Sequence, residues 1–225
     1  MASLNFPKVI KKIDNLGYEI GSHSNLHSLA YNQTRNEFKD DLEKSINTIE
    51  DITGKKVKYY RAPGFSLMES NKWVFEELIN KGIDIDCSIF PSSRAHGGFE
   101  KFPSKSPVIV SIAGRKIKEF PINTISLLGK NLIFSGGGYF RLMPYPLIKL
   151  LTKKSKYIMT YFHPRDFDYS QPIINDLSKI RKFKSYYGLK SAFEKLEKLI
   201  NDFDFIDLRE ANQNFNWEKS EIIKI

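Results

Sequence analysis

Four histidines occur in the 225 residues, and two of them, His23 and His27, stand four apart in Ser22-His23-Ser24-Asn25-Leu26-His27. Side chains at that spacing point the same way on a helical turn, so two imidazoles can reach one divalent ion. Neutral imidazole nitrogens suit zinc, with cobalt or nickel as alternatives, and they leave positions for a carboxylate and for water or substrate. The spacing is common, and two histidines that merely hydrogen-bond locally meet it more often. Arg61-Ala62-Pro63-Gly64 is a second candidate. Arginine can hold a carboxylate bidentately and keep it ionised. Pro63 fixes the turn, and Gly64 lets a backbone N–H come close to a developing oxyanion. An ordinary strand-ending turn with a surface arginine accounts for the same residues without chemistry. His163 closes the apolar run Tyr157-Ile158-Met159-Thr160-Tyr161-Phe162. With an ordinary pKa of about 6.5, an imidazole there is a candidate proton donor, or simply a satisfied histidine at a strand edge. His96, beside Gly97-Gly98, lines a cleft or is a plain loop residue. Cys87 has no histidine near it in sequence and reads as a buried small residue, and Trp73 and Trp217 read as packing.

The elements that must position these groups alternate along the chain. Phe6, Val9, Ile10, Ile13 and Leu16 repeat at helical spacing, with Gly17 as the stop, and residues 18–21 read as a strand leading into the histidine pair. Thr34 with Glu37 forms a capping box for a long helix whose buried face is Phe38, Leu42, Ile46, Ile49 and Ile52, ended by Gly54. Residues 57–60 form a strand that delivers Arg61. A helix over 73–80 and a strand over 83–86 follow, and the middle third, 91–121, is irregular with a short strand at 117–120. Gly136-Gly137-Gly138-Tyr139-Phe140-Arg141 is the most glycine-dense stretch. A helix over 145–152, a strand over 157–162, a helix over 189–200 and a strand at 205–206 complete the pattern. This alternation implies βα units and a largely parallel sheet or barrel, in which strand ends carry chemistry. The three polar motifs all fall where a strand is predicted to end.

Composition bounds the rest. The 41% hydrophobic content suits one domain, taken here as residues 1–225, with a real core. No run of about eighteen apolar residues occurs, so no transmembrane segment is expected. The first residues turn into a charged amphipathic stretch rather than an apolar one, so no signal peptide is expected, and a single cysteine fits a cytoplasmic location. The net charge of +9 is spread over the presumed helices, densest over 179–190 with five Lys/Arg. No zinc-finger, homeodomain or RNA-binding pattern accompanies it, so nucleic acid is not an expected partner. An anionic glycan, a nucleotide-linked sugar or a lipid phosphate would suit a basic surface as well.

Taken together and in this order, the motifs resemble the polysaccharide deacetylase family, the NodB-homology group or carbohydrate esterase family four. His23-Ser24-Asn25-Leu26-His27 is similar to its second motif, H-[ST]-x-x-H. Arg61-Ala62-Pro63 is similar to its third, R-x-P, and His163 to its fifth, a histidine after an apolar strand. Asp86-Cys87-Ser88-Ile89-Phe90-Pro91, Gly136 to Tyr145 and Phe162-His163-Pro164 look like the branch found with bacterial exopolysaccharide and surface-polysaccharide clusters. The similarity runs over about residues 6–211. It implies a distorted (β/α) barrel that hydrolyses the N-acetyl group of an amino sugar in an N-acetylated glycan or sugar precursor, with a divalent metal. By position, the resemblance makes His23 and His27 metal ligands, most readily of zinc, and His163 the general acid. It makes Arg61 the support of the base and Gly64 an oxyanion donor. Pro63, Gly64, His96, Gly138 and Tyr139 are the expected substrate contacts, and Asp86 is the acidic candidate for orienting His163.

One departure bears on activity. The family's first motif holds two adjacent aspartates, one the base and one the third metal ligand, on a strand upstream of the histidine pair. Only 22 residues precede His23, and their acidic members, Asp14 and Glu19, match no such motif. The first strand and helix of the barrel are expected to be absent, leaving an N-terminally incomplete domain. Ile89-Phe90 also stand near the place of the family's usual Asp-Trp pair. A truncated active enzyme, a catalytically inactive homologue that binds carbohydrate, and substitution by Asp84, Asp86 or Asp166 all remain open. The expectation for this polypeptide is little or no deacetylase activity.

Overall fold

The structure, a computed structural model, describes residues 2–93, 97–127 and 130–225. In chain order the first elements are α1 (Ala2–Asn5), α2 (Pro7–Asn15), α3 (Arg35–Thr53), β1 (Tyr59–Tyr60), α4 (Trp73–Asn80) and β2 (Ile85–Asp86). Next come β3 (Val108–Ile112), β4 (Arg115–Glu119), β5 (Ile125–Leu127), β6 (Lys130–Leu132), α5 (Gly137–Leu142) and α6 (Tyr145–Lys154). The last are α7 (Lys179–Tyr186), α8 (Leu189–Asp202), α9 (Leu208–Asn214) and β7 (Ile222–Lys224). They gather into two compact units, residues 1–122 with 206–225 and residues 123–205.

The first unit is built on a five-stranded sheet in the order β1-β2-β4-β3-β7. The β1–β2, β2–β4 and β3–β7 pairs are parallel, and β3–β4 is an antiparallel hairpin. That hairpin turns on Ala113 and Gly114, both at positive φ (48° and 75°), as a two-residue turn matched to strand twist requires. Helix α3 forms as its sequence dictates. The Thr34 side chain accepts from the Glu37 N–H while the Glu37 carboxylate accepts from the Thr34 N–H, and Gly54 ends the helix at φ 73°. Its buried Phe38, Leu42, Ile46 and Ile49 join Val74, Phe75 and Leu78 of α4 and Val108 and Val110 of β3 in one apolar cluster. Thr34→Ala removes the bond from the Glu37 N–H and the one that the Thr34 hydroxyl donates to the Glu37 carboxylate, and is expected to cost about 1 kcal/mol, read from the urea midpoint.

The second unit carries the β5–β6 hairpin and helices α5 to α8, with Phe134, Phe140, Ile148 and Leu199 at its centre.

Three strand expectations need correction. Residues 18–21 form no ladder: one bridge joins Ser22 to Tyr60, because the chain turns away at Ser24 (φ 68°). Residues 157–162 likewise form no ladder: an isolated bridge pairs Tyr161 with Gly136, and Met159 is held by Asn123 and Ser135. Residues 205–206 are in no strand, and the late strand is Ile222–Lys224, which pairs with β3. Apolar runs of this length supply extended backbone, but a strand needs a partner at the right register. The amphipathic first helix is present as Pro7–Asn15, yet Phe6, Val9 and Leu16 beside and within it are exposed and its buried residue is Asp14, paired with Lys55 and Lys11.

Candidate functional site

In the first unit the histidine segment is a loop rather than a helical turn. Ser22 is tied to β1 by its N–H to the Tyr59 carbonyl (2.8 Å), and the Arg61 N–H returns to the Ser22 carbonyl (3.1 Å). Asp41 of α3, buried, accepts the N–H groups of Asn25 (2.9 Å) and Leu26 (2.8 Å). Ser45, one turn on, meets the Ser22 hydroxyl at 2.8 Å. Pulled into this shape, Ser24 and His27 take left-handed φ of 68° and 58°, and the His27 N–H donates to the Ser24 hydroxyl. The two imidazoles then meet edge to face with ring centres 5.0 Å apart. Asp41 and Ser45 were missed as site-shaping residues. Their signal was two polar side chains on the buried face of an otherwise apolar helix stripe, where each needs a partner.

His23 Nδ1 lies 2.6 Å from the Arg61 carbonyl oxygen. A carbonyl only accepts, so Nδ1 carries the proton and the lone pair of the neutral ring is on Nε2, the arrangement that orients a histidine as a metal ligand. Two imidazoles bound through nitrogen to one tetrahedral zinc would bring their ring centres about 5 Å apart, so this pair fits two positions of such an ion. A third does not: among the described residues no other His, Cys, Asp or Glu completes a cluster able to hold a metal. Asp14 and Glu19, the acidic residues upstream, are taken by Lys55 and Arg209.

The Arg61 turn is braced from below. Arg61 Nε donates to the Cys87 carbonyl (3.2 Å) and its guanidinium carbon stands 5.8 Å from the Phe65 ring centre. It forms no ion pair among the described residues, so a carboxylate held by Arg61, expected from sequence, is not found there. The Ala62 N–H donates to the Ser88 hydroxyl (2.7 Å), which donates to Asp86 (2.5 Å). Pro63, expected to touch substrate, is buried and stiffens the turn. Gly64 is exposed at φ 62°, and a β-carbon on it would sit 2.8 Å from Leu29 Cδ2. His96 lies outside the described residues. Cys87 is buried, and burial pushes its thiol up to about 12, which removes it as a nucleophile.

Asp86 does not occupy an open site. It lies opposite Glu119 in the β2–β4 register, and both are fully buried. Burial raises the carboxyl pKa of both, Glu119 the more strongly, with the Asp86 charge adding to it. Glu119 Oε1 accepts the Ile89 N–H (3.1 Å), whereas its Oε2 has no donor among the described residues. One proton shared between the two carboxyls resolves that, and makes Asp86 a brace for the Arg61 turn.

In the second unit His163 has a carboxylate of its own. Its Nδ1 stands 3.5 Å from Asp166 Oδ2, which also accepts the His163 N–H at 2.9 Å. Arg141, buried, places Nε 3.3 Å from the other Asp166 oxygen. Burial alone would raise Asp166, but the His163 ring and N–H and the Arg141 charge outweigh it and hold the carboxyl below the usual range. The orienting role expected of Asp86 is therefore filled by Asp166, three residues on in the turn Pro164–Asp166. Gly138 and Tyr139 are exposed in the first turn of α5. The steric demand for glycine falls on Gly136 instead, where a β-carbon would lie 2.0 Å from the Tyr161 carbonyl oxygen.

Residues 2–82 match the polysaccharide deacetylase family, and residues 87–213 match a domain of unknown function, DUF3473. No curated protein matches the chain. Among solved structures, a "probable Polysaccharide deacetylase" from Pseudomonas aeruginosa PAO1 is 13% identical at a TM-score of 0.54, covering 93% of this chain and 63% of that one. Puue allantoinase is 12% identical at 0.53, covering 89% and 57%. BA3943, a CE4 family pseudoenzyme from Bacillus anthracis, is 12% identical at 0.46, covering 99% and 50%. The chain thus spans about half the length of solved structures that it matches. The first two likenesses show the fold, an α/β fold of the deacetylase barrel type. The second match spans more than half of the chain, which therefore belongs to the family defined by DUF3473, and the adjoining residues 2–82 are similar to the polysaccharide deacetylase family.

Proposed function

We propose that the chain serves metal-dependent removal of N-acetyl groups from amino sugars in bacterial surface-polysaccharide or exopolysaccharide synthesis. The observation that carries the reading is the paired imidazoles of His23 and His27, with His23 Nδ1 pinned on the Arg61 carbonyl. These two rings would hold zinc, which when bound polarises an amide carbonyl and acidifies water. The exposed Gly64 turn presents backbone to a developing oxyanion. In the second unit Asp166 holds His163, the residue that the family resemblance makes the general acid, and the Arg141 charge keeps Asp166 ionised. The described residues place no carboxylate base with the histidine pair, so turnover by this chain is expected to be slow.

That last observation also favours a second reading, a homologue that binds carbohydrate without hydrolysing it. Acetate release from N-acetylated chito-oligosaccharides with added zinc or cobalt separates the two. The first reading expects release that His163→Ala lowers by about a hundredfold or more. Background release from both proteins would leave only the second. Zinc titration followed by calorimetry checks the ligands separately: His23→Ala and His27→Ala should each abolish binding, and unchanged binding would remove them from the site.

A further inference from the structure

Helix α7 turns an apolar stripe to solvent. None of its residues is buried, and Ile180 and Phe183 are 68% and 51% exposed, with Tyr187 just past its end at 50%. These three follow at i, i+3 and i+7, so they form one apolar stripe along the helix. Exposed Ile173 and Ile174 lie beside it, because the Tyr186 hydroxyl accepts the Ile174 N–H (2.9 Å) and donates to the Pro172 carbonyl (3.1 Å). Lys179 and Lys184 flank the stripe, Arg181 and Lys182 lie further round the helix, and no Asp or Glu occurs between Asp176 and Glu194. None of the four is in an ion pair among the described residues. The helix is nevertheless held firmly, since the buried Arg141 guanidinium donates to the carbonyls of Lys184 (2.9 Å), Ser185 (2.9 Å) and Tyr187 (3.0 Å).

A rigidly mounted helix that turns aromatic and branched apolar side chains outward between cations is built for a surface with an oily interior and anionic headgroups. We propose that α7 and residues 172–174 dock the protein on an anionic lipid bilayer, with Ile180, Phe183 and Tyr187 inserted at the headgroup boundary and the flanking lysines over lipid phosphates. The charge pattern argues against a second copy of the chain, because a self-paired patch would set these cations against one another. Nucleic acid would use the cations and leave the apolar stripe in water. A helix ridge is also no groove for a peptide. The docking is independent of the metal-site reading.

The test is co-sedimentation of the full chain with phosphatidylcholine vesicles, with and without about one third phosphatidylglycerol, at near-physiological salt. The expected result is binding to the anionic vesicles only, weakened as salt rises. Ile180→Ser with Phe183→Ser should lower it at least about tenfold. Lys184→Ala should lower it about fivefold. Both variants should keep the parent's circular dichroism and thermal midpoint, since the altered side chains are exposed. Binding that ignores phosphatidylglycerol, or that survives the Ile180 and Phe183 changes, would overturn the proposal. So would a fall in oligomer mass caused by those changes, or nucleic-acid retention that depends on them.

Discussion

Arg141→Met should destabilise the second unit by about 3–5 kcal/mol, the usual consequence of removing one partner from a buried charge pair. The guanidinium is 5% exposed and has two tasks. It closes the last turn of α7 by donating to three carbonyls that the helix leaves unpaired, and it neutralises Asp166. Methionine keeps much of the volume and neither task. The loss should appear as an earlier unfolding transition in urea, with the far-UV signal of α7 lost first. Asp166→Asn added to Arg141→Met should recover part of it, because the stranded carboxylate is then gone. A loss below about 1 kcal/mol would show that Arg141 is not the fastening described here.

The Asp86–Glu119 pair yields the second large effect, one that depends on pH. Both carboxyls have folded pKa values above their unfolded ones, so the folded state holds a proton that the unfolded chain releases. The pair's contribution is therefore complete below the ordinary carboxylate range. It declines as pH rises through that range towards the raised folded pKa, by about 1.4 kcal/mol per pH unit for one proton. The groups packed around the pair are Cys87, Tyr60 and, through the Cys87 carbonyl, Arg61. Glu119→Gln keeps the shape and cannot ionise. The variant should equal or trail the parent at acid pH and overtake it towards neutrality, as read from urea midpoints over a pH series. Parallel curves for the two proteins would mean that no proton is shared.

The positions of α2, α3, α4, α6 and α8 were legible because their signals are local, whereas α5, α7 and α9 were not foreseen. The capping box of Thr34 and Glu37 spans four residues, Gly54 needs only its own φ, and the stripe from Phe38 to Ile49 is a matter of periodicity. The motif residues were legible for a similar reason: His23, Arg61 and His163 each close an extended run that can be read on its own. Much of the site's chemistry was not. Whether Asp86 is a solvent-facing carboxylate or half of a buried acid pair depends on the register that sets β2 beside β4, and nothing near Asp86 in sequence names Glu119. The partner of His163 was only three residues away, yet Asp166 becomes that partner through a tight turn and the arrival of Arg141 from another helix.

Composition, helix periods, caps and family motifs were thus contained in the linear order, because each is settled by energies between near neighbours. Strand pairing, the left-handed loop that brings two imidazoles to 5.0 Å, and the outward face of α7 came from contacts between distant segments. Desolvation acts there: a carboxyl or an isoleucine acquires its energetic meaning from what the rest of the chain packs against it, or leaves in water.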